Sequence, residues 1–424
     1  MIVFNKAVPF FASTRSGTDQ AVERGVTMQA NQVSERYKYP VSDGELARRL
    51  KNVQEQMKAD GVDCVLMQTQ SGIFDRGIRY FIDQQTGSYS SALLIPAEGK
   101  MTLLMHGNDC DSAPIPPWGR NVGKVITKPF CQPFAFTDDM AGSVMAAEIA
   151  ALGARKVGLF CRQCMSLAFG DALRAALPDV EFVDYSVTIS RLSAVKSAEE
   201  WELIDKSIRA HEQLMAMVPA LIRPGKMEFE VRAELEKMAL SMGCDTIGNV
   251  AVGSAPRGGM SMFVPHYSEN RRIQMGDTVT VMVEVAGPGG MFAELARTFC
   301  LGEPNQSLLD LYEVAKGAQT AVAAAAKPGA TGADLTRVFD EFVTAHGIAP
   351  NARFVGHGQG YDMMESPAIC GSEDMVLEED MYFAIHPELV RNGEFSICCD
   401  NFRITKEGAV RITRTPQQIT MLEF

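Results

Sequence analysis

Residues 356–367 read Gly-His-Gly-Gln-Gly-Tyr-Asp-Met-Met-Glu-Ser-Pro and carry one of the chain's six histidines. Glycines at 358 and 360 let the backbone approach a partner closely, so His357 can be aimed rather than merely packed. Asp362 and Glu365 follow closely enough to orient that imidazole or to touch a substrate, and Tyr361 stands beside them as a further substrate-side candidate. A second pair of carboxylates comes from a hairpin. Thr280, Met282 and Glu284 alternate with Val279, Val281, Val283 and Val285; residues 286–290 turn the chain and 291–299 return it. Centred on Gly289, this hairpin sets Glu284 directly opposite Glu294. Two opposed carboxylates repel unless a cation, a shared proton or a cationic substrate lies between them. The alternative is a pair of solvated glutamates on an exposed hairpin. His266 is the candidate general acid–base, because imidazole titrates near neutrality and serves both directions of a proton transfer. His357 and His386 are suited to hold a substrate carboxylate or polarise water, and Glu294 to hold a cationic part. Arg297 reads as structural, paired with a carboxylate across the sheet.

Composition narrows the partners. The 424 residues carry a net charge of −12, with a pI near 5.1, which argues against nucleic acid or an anionic membrane. No apolar run is long enough to span a bilayer, and the first residues do not read as a signal peptide. Ten cysteines without a secretion signal point to reduced thiols in the cytoplasm. Cys161-Arg-Gln-Cys164 has the spacing of redox and zinc pairs and follows an apolar run, as a redox pair does. No second pair with zinc-ribbon spacing accompanies it, so a structural place is the expectation and its role stays open.

The elements that must position these groups fall into two domains. Residues 1–40 are polar and aperiodic, an arm expected to lie on another surface. From Ser42, Leu46, Leu50, Val53 and Met57 repeat at helical spacing up to Gly61. Short apolar runs at 64–67, 91–95, 102–105, 156–160 and 180–183, with helical stretches at 138–152 and 167–177, indicate an α/β domain over 41–192. The boundary is placed at 186–196. Ser197, with Glu200 three residues on, makes a capping box that opens a helix reaching Met217. Pro224-Gly225 then leads to a helix closing at Gly243, and Pro328-Gly329 to one closing at Gly347. The equal spacing reads as a degenerate internal duplication over 193–424.

Residues 199–210, Pro265-His266-Tyr267, Gly276-Asp277, 294–299 and 356–367 occur in the order of the pita-bread (creatinase/aminopeptidase) family, which the chain resembles throughout. The resemblance implies a mixed α/β (α+β) chain: a creatinase-N-like domain, then a pseudo-symmetric pita-bread catalytic domain. Metallopeptidase members hold two divalent ions on Asp, Asp, His, Glu and Glu. Carried over, those positions fall on Val283 (or neighbouring Glu284), Glu294, His357, His386 and Cys399. His266 matches the family's substrate-side histidine.

Two hard ions need several bridging carboxylates, so an ordinary dinuclear aminopeptidase is not expected. The first expectation is a metal-independent, creatinase-like hydrolase with no cofactor. It would act on a C–N bond of a small zwitterionic or cationic substrate through His266, Glu294, His357 and His386. The alternative is one Zn or Fe ion on Glu284, Glu294, His357, His386 and Cys399, in an Xaa-Pro aminopeptidase-like hydrolase or a dimethylsulfoniopropionate-lyase-like enzyme. Creatinase's own substrate glutamates fall on Ala296 and Cys399, so its binding pattern is absent. The resemblance also implies a homodimer in which residues 72–87, including Arg76, border the partner's pocket.

Overall fold

The computed structural model describes residues 39–69, 76–84, 89–131, 134, 136–263, 270–350 and 354–424. Almost all of the expected arm, and His266, lie outside them. In the first half, helix α1 (Asp43–Asp60) starts where Ser42 Oγ accepts from the Glu45 N–H, and stops at Gly61 with φ of 65°. Strand β1 (Cys64–Thr69), α2 (Arg76–Ile82), β2 (Ser91–Pro96), β3 (Met101–His106), β4 (Cys110–Ala113), β5 (Val122–Lys128), α3 (Phe136–Ala151), β6 (Lys156–Phe160), α4 (Leu167–Ala176), β7 (Glu181–Asp184) and α5 (Ser186–Ala194) follow. The seven strands form one sheet in the order β4-β5-β3-β2-β1-β6-β7.

Both faces of that sheet are covered. Val65, Met67, Leu93 and Ile95 pack with Leu46, Val53 and Phe81 on one side. Cys64, Leu66, Ala92 and Leu94 pack with Met145, Ile149 and Phe169 on the other. Side chains alternate across a strand, and residues 64–67 and 92–95 are apolar at every position because both faces are buried. The stretch read as the domain boundary contains helix α5, held by burial of Ile189 and Ala194.

The second half opens with α6 (Ala198–Leu221), whose capping box joins Ser197 and Glu200 as the sequence predicts. Helix α7 (Glu228–Ser241), strands β8 (Thr246–Pro256), β9 (Asp277–Ala286) and β10 (Phe292–Leu301), helices α8 (Gln306–Ala325) and α9 (Gly332–Ala345) come next. Strands β11 (Gly356–Gly358), β12 (Glu365–Ile369), β13 (Tyr382–Ile385), β14 (Glu388–Arg391), β15 (Glu394–Ile397), β16 (Asp400–Thr405), β17 (Gly408–Arg411) and β18 (Thr420–Leu422) complete it. One sheet runs β18-β10-β9-β8 and another β12-β11-β13-β16-β17, with β14 and β15 paired separately. The duplication is visible in the backbone. Gly225 and Gly329 open the two units at φ of 92° and 95°, and Gly243 and Gly347 close them at 89° and 71°. Val279, Val281, Val283 and Val285 pack against Leu214, Val231 and Leu235 of α6 and α7. In the other unit Phe339 and Val322 pack against Ile385 and Phe402. No helix of the described residues is long and apolar enough to cross a membrane.

His211 of α6 is wholly buried beneath the first of these sheets. Its Nδ1 donates to the Ser207 carbonyl at 2.8 Å, and its Nε2 accepts from the Val285 N–H at 3.2 Å. Both nitrogens are committed to the neutral ring, and burial pushes the pKa down to about 4. A histidine depressed in the folded state contributes stability that is complete above its unfolded pKa and is lost as pH falls through the folded one. Between pH 7 and pH 5 the wild type should therefore lose about 2 kcal/mol more unfolding free energy than His211→Gln. Urea unfolding at the two pH values measures this; equal losses would exclude His211 as the titrating group.

Candidate functional site

The β9–β10 hairpin has the expected register: Glu284 pairs with Glu294, and Val283 with Leu295. Both glutamates are buried, which removes the solvated-hairpin alternative. Cross-strand side chains start about 5 Å apart, where two like charges cost about 3 kcal/mol at an effective dielectric of 20. One proton resolves the conflict. Burial and the charge of Glu294 push Glu284 up, so it keeps its proton. Burial also opposes the Glu294 charge, but the neighbouring His386 and His357 imidazoles and the Cys399 thiol hold its carboxyl below the usual range.

The second sheet supplies the histidines. His357 lies on β11, paired with Ala384 of β13, and His386 directly follows β13. Their ring centroids are 5.2 Å apart. His357 Nδ1 faces the Gly358 carbonyl at 3.0 Å; a carbonyl only accepts, so Nδ1 carries the proton. That leaves the Nε2 lone pair facing Glu294 Oε2 at 3.4 Å. Two acceptors in this position require a second proton on the ring or a cation between them. Glu294 Oε2 and His386 Nδ1 are both buried without a hydrogen-bond partner. Ligand atoms of Glu294, His357 and His386 lie within 4.8 Å of one another. One carboxylate oxygen and two imidazole nitrogens suit a single Zn or Fe ion; the remaining polar positions, one carboxyl and one thiol, offer too few oxygen ligands for a second, hard ion. Cys399 is a neutral thiol, because burial and the Glu294 charge push its pKa well up. Glu284 and Cys399 fall outside the three-residue group.

The seam between the sheets fixes Glu294. Its N–H donates to Asn401 Oδ1 at 3.2 Å, and Asn401 Nδ2 donates to its carbonyl at 2.8 Å. Arg297 donates to Asp400 at 2.6 Å and to the Cys399 carbonyl at 2.9 Å, the structural pairing expected for it. An apolar wall of Met282, Ala296, Phe395, Ile397 and Cys399 adjoins the group. Gln359, wholly buried with both amide atoms unpartnered, was not singled out by the sequence reading, although it lies inside Gly-His-Gly-Gln-Gly.

The remaining candidates gather elsewhere. The Arg76 backbone N–H donates to Asp362 at 2.8 Å, and its guanidinium stands 3.3 Å from Glu365, which also pairs with Lys196 at 3.2 Å. Tyr361 packs under the guanidinium groups of Arg49 and Arg79. Arg76, Tyr361, Asp362 and Glu365 thus form the buried junction of the two halves, an arrangement that favours a structural role over substrate contact. Of the segment 72–87, the described residues Arg76 and Arg79 are engaged with this same chain, Arg79 with Asp245 at 2.5 Å.

The model for metallopeptidase family M24 matches residues 202–415, and that for the creatinase/prolidase N-terminal domain matches 49–195. The probable dipeptidase PepE of Mycobacterium tuberculosis is 28% identical over 237 residues, 55% of this chain and 62% of that protein's length. The Xaa-Pro dipeptidase of Pyrococcus furiosus is 28% identical over 247 residues, 56% of this chain and 68% of its own. Dipeptidase PepE from Mycobacterium ulcerans superimposes with a TM-score of 0.74 at 22% identity, covering 91% of this chain and all of the other. The Xaa-Pro dipeptidase from Bacillus anthracis gives 0.72 at 22%, covering 90% and 100%. These structures share the fold.

Breaking a buried ion network from one side leaves a charge uncompensated. Lys196→Met should lower unfolding free energy by about 3–5 kcal/mol, seen as a drop in the urea midpoint. An unchanged midpoint would mean that Arg76 alone balances Asp362 and Glu365.

Proposed function

The chain belongs to metallopeptidase family M24, and on that premise we propose a hydrolase that cleaves a C–N bond of small peptide-like substrates with one ion on Glu294, His357 and His386. The carrying observation is the His357 Nε2 lone pair set against a Glu294 oxygen that has no hydrogen-bond donor. This supports the single-ion reading over the metal-independent, creatinase-like one. The relatives' names, dipeptidase and Xaa-Pro dipeptidase, support short peptides as the substrate class.

A divalent transition ion on these three side chains would supply polarisation of a carbonyl and an acidified water. Gly358 fixes the His357 tautomer, so that Nε2 presents its lone pair. Glu284 holds a proton beside ionised Glu294 and keeps the charge of the centre low. Cys399, kept neutral beside the Glu294 charge, is a poor nucleophile. The wall around Phe395 and Ile397 excludes water from one side. His266 is proposed, on the resemblance alone, as the proton donor to the departing nitrogen. The homodimer likewise stands as a proposal.

Protein purified without chelators should contain about one Zn or Fe per chain, and Glu294→Ala or His357→Ala should reduce this to background while remaining folded. A chelator should abolish dipeptide hydrolysis, and Zn or Fe should restore it. Full activity in metal-free protein would overturn the proposal. His266→Ala should lower kcat by about 100-fold or more with metal content unchanged; an unchanged kcat would remove it from the mechanism.

A further inference from the structure

Cys161-Arg-Gln-Cys164 plays no part in the site described above. It forms the turn after β6, where Cys161 takes a φ of 53° and residues 162–164 make one 3-10 turn. A residue with a β-carbon is uncommon in that left-handed region, at a cost of about 1–2 kcal/mol. Two bonds hold it there: the Cys161 N–H donates to Ser186 Oγ at 3.0 Å, and the Cys164 N–H donates to the Cys161 carbonyl at 2.7 Å. The turn places the two thiols, both half-buried, on one small cavity. They share it with Gln68, Phe160, Arg76 and Asp362. The dithiol therefore stands where the two halves meet, beside a buried guanidinium.

We propose that Cys161 and Cys164 are a redox-active dithiol that closes to an intrachain disulfide by exchange with small-molecule disulfides. The two cysteines differ in the way such a pair requires. The neighbouring Cys161 thiol lowers the Cys164 pKa to about 6 against the opposing effect of burial, with Arg76 assisting. The Cys164 thiol and burial push Cys161 up. Cys164 is therefore the attacking thiolate and Cys161 the resolving thiol. Cys164 Sγ attacks one sulfur of R–S–S–R, breaking that bond and releasing RS⁻. Cys161 then attacks Cys164 Sγ, breaking the mixed disulfide and releasing a second RS⁻. The Cys161 proton and one from water give two RSH, so the protein is oxidised by two electrons and the small disulfide is reduced by two.

The test uses the full chain with oxidised glutathione, followed by alkylation and peptide mass mapping. The peptide holding both cysteines should lose two hydrogen masses and resist alkylation until reduced, while Cys161→Ser should instead retain glutathione on Cys164. In reduced protein at pH 7, Cys164 should react with iodoacetamide about tenfold faster than half-buried Cys110, and Cys161→Ala should slow it. The proposal is overturned if glutathione yields no intrachain disulfide here, or if Cys164 reacts no faster than Cys110.

Discussion

The candidate centre depends on one buried ion pair that does not belong to it. Arg297 of β10 meets Asp400 of β16 with both charges removed from water. Isolated, either would cost several kcal/mol, so the pair holds only if each remaining polar atom is satisfied. It is: Arg297 also donates to the Ala296, Cys399, Thr415 and Pro416 carbonyls, while Gln319 and Gln417 donate to Asp400. The geometry this demands is a fixed approach of the two sheets. Asn401, the next residue, bonds both to the Glu294 backbone and to the Tyr382 hydroxyl. Glu294 is thereby held against strands that carry the histidines.

With position set, charge decides what the centre can hold. The family's dinuclear pattern balances two ions with four carboxylates. In this chain the hairpin and the second sheet provide one ionised carboxylate, one carboxyl pushed up by burial, two imidazoles and a neutral thiol. With one ionised carboxylate in this buried space, a second divalent ion would lack its counter-charge. The same space sets nitrogen donors next to a carboxylate oxygen, a set suited to one softer ion.

Much of this was legible in local pattern. The valine alternation and the glycine turn define the 284–294 pairing, because a hairpin's register follows from its length. The repeated Pro-Gly and closing glycines mark positions where the backbone turns left-handed, a need that few residues but glycine meet. Elements without such local cause were missed. Helix α5 reads Ser-Val-Thr-Ile-Ser, residues that favour other conformations, and Tyr185 gives it no side-chain cap. Strands β4 and β5 are partly exposed, with mixed polarity. The ion network was invisible for a different reason: Arg76 and Asp362 lie 286 positions apart, and each alone resembles a substrate ligand.

That network also explains how one glycine-rich stretch serves two ends. From Gly356 to Gly358 the chain is a strand, hydrogen-bonded to β13, and His357 faces Glu294. Beyond Gly360 it turns away, and Asp362 and Glu365 reach the N-terminal half. Gly360 makes the turn possible, since a β-carbon there would collide with the Glu365 carboxylate. The Asp362 N–H donates to that same carboxylate, closing the turn on itself. Between strand and turn lies Gln359, whose backbone N–H is tied to the Tyr382 carbonyl. The direction of the His357 imidazole is therefore set from both sides. The sheet holds it from one end, and a salt-bridged turn anchored in the other domain holds the chain that follows.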